Sequence, residues 1–249
     1  MTEAGPGLIE RFRTARADPG LALLEGFHPL KHAVRFGAGI EVAVAPETAP
    51  LATLAERLAP DLGPWLARHL TLAAPALFAQ LASLEVGVVA IAKRPAMKLD
   101  QLLAGGGPGP LVLLEQPRHL GNVGAAVRVA AAAGATAVLT TGRLDPWHPA
   151  ALRGAAGLHY AIPVARIGGL PAMARPLVAF DPAGEPLRLD RLPADAILAF
   201  GSERRGLSGE LRARAERQLA LPMRPGVSSL NLATAVAAVL YAWRLSRGG

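Results

Sequence analysis

The chain has 249 residues, 51% of them apolar, and no cysteine, which excludes disulfides and thiolate chemistry. No uninterrupted apolar run reaches about 18 residues, so no membrane span is expected. The net charge of +7 is almost wholly arginine, since Lys31, Lys93 and Lys98 are the only lysines; it points to an anionic partner, nucleic acid first, although a GC-rich genome produces the same bias.

In chain order, the start Met1-Thr-Glu-Ala-Gly-Pro6 lacks the basic and apolar regions of a secretory signal, and with the absence of cysteine this leads us to expect a cytoplasmic protein. Residues 8–16 read as an amphipathic helix. Ala22-Leu-Leu24 leads into Glu25-Gly-Phe-His28, and Pro29 to Arg35 suits a helix ended by Phe36-Gly-Ala-Gly39. Ile40 to Ala45 reads as a strand closed by Pro46. Helices follow near 50–58 and 75–82, and Val86 to Ala92 is a buried strand. These elements make a small α/β domain over 1–95. The cluster Gly105-Gly-Gly-Pro-Gly-Pro110 marks a short, partly stiff linker, 96–110.

From Leu111 the pattern is strand, helix, strand. Strands are expected at Leu111–Glu115 and Thr136–Thr141, with a helix over 123–133 between them and Gly134 as its C-terminal cap. A helix fits Pro149–Ala156. Short strands fit Ala161–Ala165, Leu177–Phe180, Ala196–Phe200 and Gln218–Leu221, and a long helix runs from Leu230 to Leu245. Alternation of this kind predicts an α/β fold with a mainly parallel sheet over 111–249.

Three loops place polar or glycine residues where predicted strands end, the edge at which open α/β sheets bind ligands. In the first, Asn122 can cap the following helix, Gly124 permits close approach to the backbone, and Arg128 lies further along; a plain cap and a solvated arginine is the alternative. In the second, Gly201-Ser-Glu-Arg-Arg-Gly206, the flanking glycines allow a tight turn that exposes backbone N–H groups and presents Glu203; a solvated loop is the alternative. The third runs from Pro222 to Ser229, where Ser228 or Ser229 could cap a helix. Asn231 is an unusual residue just inside that apolar helix, so its amide is expected to bond something specific.

Taken together, these loops resemble the three motifs of the SpoU/TrmH branch of the SPOUT RNA methyltransferases. Asn122, Gly124 and Arg128 are similar to N-x-G-x-x-x-R. Phe200, Gly201, Glu203, Gly206, Leu207 and Ser208 are similar to F-G-x-E-x-x-G-L-S, and Pro222, Met223, Ser229, Leu230 and Asn231 to P-M…S-L-N. Arg153-Gly-Ala-Ala-Gly157 and Pro163-Val164 also match the stretch between the first two motifs. More weakly, Ala15-Arg16, Glu25-Gly26 and Ala33 resemble the family's small substrate-binding domain. Arg204, where Gly is common, and Ala155, where Ser is frequent, depart from the pattern and leave substrate choice open.

The resemblance implies a deep trefoil knot in the C-terminal domain, which chain-path rules would not predict. It implies an S-adenosylmethionine pocket with Gly201, Leu221 and Leu230 as contacts, and a homodimer whose sites are completed across the interface. The implied reaction is ribose 2′-O-methylation of rRNA or tRNA. Arg128, as a guanidinium cation, would stabilise the developing alkoxide and grip a phosphate. Glu203 would orient Asn122 or Arg128, and Ser229 and Asn231 would hold loops and substrate. No metal is expected: His28 and His32 are the only closely spaced histidines, and Pro29 intervenes. With Trp65, Trp147 and Trp243 as the only tryptophans, RNA contacts should lean on arginine and backbone groups. A non-catalytic RNA-binding protein is the alternative; a nucleotide-dependent oxidoreductase is disfavoured because no G-x-G-x-x-G follows a first strand.

Overall fold

The computed structural model describes residues 6–82, 85–105 and 107–248; residues 1–5, and Gly106 in the expected linker, lie outside the described residues. In chain order the elements are α1 (Pro6–Ala17), β1 (Leu21–Glu25), α2 (Phe27–Arg35), β2 (Ile40–Pro46), α3 (Leu51–Leu58), α4 (Gly63–His69), β3 (Leu70–Ala73), α5 (Pro75–Leu81) and β4 (Val89–Lys93). Then come α6 (Leu99–Leu103), β5 (Leu111–Leu114), α7 (Leu120–Ala133), β6 (Ala137–Thr140), α8 (Pro149–Gly154), β7 (Val164–Arg166), β8 (Leu177–Pro186), β9 (Ile197–Phe200), α9 (Gly209–Arg214), β10 (Arg217–Ala220) and α10 (Leu232–Ser246). They group into two compact units, one of residues 1–96 with 148–161, the other of 97–147 with 162–249.

The first unit holds a four-stranded sheet in the order β1-β4-β2-β3, in which β4 runs antiparallel to both neighbours and β2 pairs with β3 in parallel. Alternation along the strands sends Leu23, Val44, Val89 and Ile91 to one face, where they pack with Phe12 and Ala15 of α1 and Phe78 and Leu81 of α5. The Arg16 guanidinium donates to the Leu81 carbonyl at 2.7 Å, tying α1 to the end of α5. Residues 148–161 dock on the same unit. Arg153 bonds the carboxylate of Glu25, which is only 2% exposed, and the His32 Nδ1–H donates to the Ala156 carbonyl at 2.6 Å. Gly157, at φ 79°, lies so close to the Pro29 backbone that a β-carbon would overlap it.

The second unit is built on a six-stranded sheet, β10-β8-β9-β5-β6-β7, and every pairing in it is parallel. That is the α/β parallel sheet the strand–helix alternation predicts. Its central strands β5, β6 and β9 are near-continuous apolar runs because both faces are covered. On one face Leu111, Leu113, Leu139, Ile197 and Ala199 pack with Leu103 of α6, with Leu207 and with Leu211 of α9. Alanines on α7 let it lie closely against α10, with Ala126, Ala130, Val236, Val239 and Leu240 all fully buried. Gly134 ends α7 in the left-handed conformation (φ 79°, ψ 29°), as its position predicts. The buried Arg175 guanidinium donates to the carbonyls of Leu102, Gly109 and Asp195 at 2.6, 3.0 and 2.8 Å, so the segment around α6 is pinned to the sheet.

Candidate functional site

Because β5, β9 and β10 all run the same way, the loops that follow them leave one edge of the sheet. After β9, the N–H of Ser202 donates to the Gly206 carbonyl at 3.1 Å and the N–H of Gly206 returns to the Ser202 carbonyl at 2.9 Å. This closes a tight turn with Glu203 on it and Gly206 at φ 65°. A β-carbon on Gly201 would overlap the backbone of Gly206 and Leu207, so the crossing of the loop over its own stem admits glycine alone.

Glu203 ties the loops together. One carboxylate oxygen accepts from the Asn122 side-chain amide at 2.7 Å and the other from the Arg118 backbone N–H at 3.0 Å. The Asn122 carbonyl oxygen in turn accepts from the Asn231 side-chain amide at 3.1 Å. Burial pushes the Glu203 carboxyl up, but the bonds from Asn122, its own backbone N–H and Arg118, with the nearby His119, outweigh it and hold the group below its ordinary value. Glu203 is thus an ionised anchor, half-buried, that fixes the start of α7.

Two expectations are corrected here. Asn122 does not cap α7: the helix begins at Leu120 after His119, whose side chain makes no cap bond, and Asn122 lies inside the first turn with its amide free to reach Glu203. Asn231 is not inside α10 and neither Ser228 nor Ser229 caps it; Asn231 is itself the N-cap, accepting from the N–H groups of Ala233 and Thr234 at 2.9 and 3.3 Å. One amide therefore caps α10 with its oxygen and holds Asn122 with its nitrogen.

Beside this chain of bonds lies a cavity of about 280 Å³. Its walls include Gly201, Leu221 and Leu230, the three residues singled out as cofactor contacts, together with Glu203, Arg204 and Ser229. Ser229 lines the cavity without joining the bonded chain. Arg128 is not brought into that chain either. It lies on the exposed side of α7 about two turns beyond Asn122, with no bonded partner among the described residues.

Sequence reasoning missed the wall formed by Phe180, Asp181 and Pro182. β8 continues past Phe180 to Pro186, and its register on β10 jumps from Ala179↔Gln218 to Glu185↔Leu219, so the intervening residues bulge out of the ladder. Gly184 closes the base of the bulge, where a β-carbon would stand 2.7 Å from the Gln218 and Leu219 backbone. Asp181 braces it, accepting from the Ala183 N–H at 2.9 Å and from Arg212 at 3.3 Å. The Phe180 ring stacks on Phe200 with centroids 4.9 Å apart and planes at 6°. The available signal was Asp-Pro directly after a strand end, at the sheet edge where ligands bind.

Residues 109–241 match the model of the SpoU rRNA methylase family. The chain belongs to that family. An uncharacterized tRNA/rRNA methyltransferase of Synechocystis sp. is 32% identical over 243 residues, covering 91% of this chain and 84% of the relative. The 23S rRNA (uridine(2479)-2′-O)-methyltransferase of Streptomyces viridochromogenes is 29% identical over 174 residues, or 62% of this chain and 58% of that one. The crystal structure of the SpoU methyltransferase AviRb from the same organism, in complex with S-adenosylmethionine, superposes with a TM-score of 0.78 at 22% identity and covers 98% of this chain and 99% of the other.

The chain is a SpoU-type RNA methyltransferase, and S-adenosylmethionine is the group bound in the AviRb structure. The cavity of this chain suits that group: Phe180, Phe200, Leu219, Leu221 and Leu230 offer apolar walls for a purine and an alkyl chain, while Asp181 and Glu203 suit a cationic ligand.

Proposed function

We propose that this protein methylates a ribose 2′-hydroxyl in structured RNA, with ribosomal RNA the first substrate to test, and that it works in the cytoplasm as a homodimer. The observation that carries the reading is the unbroken chain Glu203–Asn122–Asn231, which links all three loops beside the cavity. Names of relatives support the acceptor, since those from Streptomyces viridochromogenes and Streptomyces laurentii are both 23S rRNA 2′-O-methyltransferases.

S-adenosylmethionine, when bound, supplies an activated methyl group on sulfonium, so neither metal nor covalent catalysis is needed. The chain's own work is alignment and charge. Gly201, Leu221 and Leu230 hold the cofactor; the bonded loops fix the acceptor's approach. Arg128, a permanent cation, stabilises charge developing on the hydroxyl oxygen and grips an adjacent phosphate, while water or a phosphate oxygen takes the proton. Glu203 orients Asn122, Asn231 holds the third loop against it, and Ser229, on the cavity wall, holds substrate. The trefoil knot belongs to the same reading: the segment after β10 walls the cavity and runs into α10 against α7. As a domain assignment, 1–95 would bind substrate, 96–110 link, and 111–249 catalyse.

The position of Arg128 outside the bonded chain favours a shared site. Gly121, Arg128 and Ala132 are exposed along α7, and Thr234, Ala238, Tyr241 and Leu245 along α10, which packs against it. Leu245 is 72% exposed. A second copy seated on this largely apolar surface would meet Arg128. The test is transfer of labelled methyl to unmodified rRNA and tRNA, with mapping of the product. Arg128→Ala should lose transfer and keep cofactor binding, and mixing it with the impaired Asn122→Ala should give more activity than either variant alone. Wild-type turnover by Arg128→Ala sinks its role, incorporation into a base sinks the ribose acceptor, and failure of the mixture sinks the shared site.

A further inference from the structure

Glu115 stands directly after β5 and is 8% exposed. Period-two alternation puts it in the same row as Leu111 and Leu113, on the face that packs with Leu207 and Leu211. A carboxylate in an apolar row is costly unless it is bonded. It has such a bond: the backbone N–H of Ser208 donates to it at 2.6 Å. Ser208 is the last residue of the loop that carries Glu203, and its hydroxyl caps α9 by accepting from the Leu211 N–H at 3.2 Å.

The two adjacent strands therefore exchange carboxylates. The segment after β5 sends Glu115 to a backbone N–H at the far end of the 201–208 loop, and that loop sends Glu203 back to the Arg118 N–H and the Asn122 amide. We propose that Glu115 is a positioning residue for methyl transfer: it anchors the stem of the 201–208 loop, so that Gly201, Glu203 and Arg204 keep their places around the cofactor cavity. Its own placement is rigid. The Glu115 N–H donates to the Phe200 carbonyl at 2.9 Å. The next residue, Gln116, is held in the left-handed region at φ 47° with its N–H on the Thr141 hydroxyl at 3.1 Å. A left-handed glutamine is uncommon and persists only where its surroundings impose it.

The inference rests on the cavity being the S-adenosylmethionine site, and the experiment separates the two. Calorimetric S-adenosylmethionine affinity, melting temperature, and kcat and KM for RNA are measured for the wild type, Glu115→Leu, Glu115→Gln and Gly201→Ala. Leucine completes the apolar row, so Glu115→Leu should melt within a few degrees of wild type. It should nevertheless bind S-adenosylmethionine about tenfold more weakly and lose kcat more than KM, because the Ser208 N–H has lost its acceptor. Glutamine keeps an acceptor oxygen and should restore affinity to within about twofold of wild type.

Wild-type affinity and kcat in Glu115→Leu overturn the proposal, provided Gly201→Ala has lost affinity; wild-type affinity in Gly201→Ala overturns the cavity assignment instead. Affinity that falls only in step with the melting temperature, without rescue by glutamine, also overturns it. Should the leucine variant not fold, Ser208→Pro removes the same N–H at a residue whose φ is already −63°. That variant should show the same loss of affinity, and an unchanged value overturns the proposal.

Discussion

Asn122→Ala tests the bonded chain at its centre. The substitution removes the 2.7 Å amide bond to Glu203 and the 3.1 Å bond from Asn231. A bond to a charged partner contributes about 1.5–3 kcal/mol and a neutral one about 0.5–1.5. Glu203 is half-buried and Asn231 exposed, so solvent screens both and the lower ends apply, about 2 kcal/mol in all. At 1.4 kcal/mol per tenfold, that is roughly a 30-fold loss in kcat/KM if the chain orders the loops for transfer. Asn122 does not line the cavity, so S-adenosylmethionine affinity by calorimetry should change little. The pH profile adds a second readout. Asn122 helps to hold the Glu203 carboxyl low, so its ionised form persists as pH falls below the ordinary carboxylate value and is lost only through the lowered pKa. Without Asn122 that loss occurs at higher pH, and the acid limb of kcat/KM should move upward. Turnover within twofold of wild type with an unmoved acid limb would refute the reasoning.

Gly201→Ala should abolish S-adenosylmethionine binding in calorimetry while the protein stays folded by circular dichroism, because a β-carbon there overlaps Gly206 and Leu207 at the cavity wall. Arg153→Met should lower stability by about 3 kcal/mol in urea titration, since it takes a directly bonded cation away from the buried Glu25 carboxylate. Burial holds His32 below its ordinary pKa, against the opposing bond to Ala156. Its contribution to stability is therefore present above pH 6.5 and is lost as pH falls from there towards the lowered value. His32→Gln should flatten that slope in urea midpoints collected across the range.

The central strands of the parallel sheet were legible because they are apolar runs with turn residues after them, as in Leu111–Leu114 and Ile197–Phe200. What escaped was short or lacked a period. α4 begins on Gly63-Pro64, and β3 is a four-residue edge strand whose Leu72 faces solvent. α9, GELRAR, buries little beyond Leu211, and its cap, Ser208, had already been read as part of a motif. β8 was cut at Phe180 because Asp-Pro-Ala-Gly looks like a turn; the parallel partner β10 holds the strand on as far as Pro186 around a bulge. Residues 149–161 could not be placed by pattern at all, since only tertiary bonds such as Arg153 to Glu25 put them with the first unit.

Local chemistry singled out Asn122, Glu203 and Asn231, which the structure bonds together, but misjudged what the two asparagines do for the fold. Asn122 looks like a cap and Asn231 like a buried amide, yet the cap is Asn231. An asparagine offers one acceptor and two donors, and each residue here divides them between neighbours: Asn231 gives its oxygen to α10 and its nitrogen to Asn122, and Asn122 gives its oxygen to Asn231 and its nitrogen to Glu203. Aspartate at either position could accept but not donate, so the chain would break at that link and add a negative charge beside Glu203. The reach of two amides across the sheet edge is thus what joins the three motifs. A terminal anchor that only accepts, Glu203, fits beside two residues that do both.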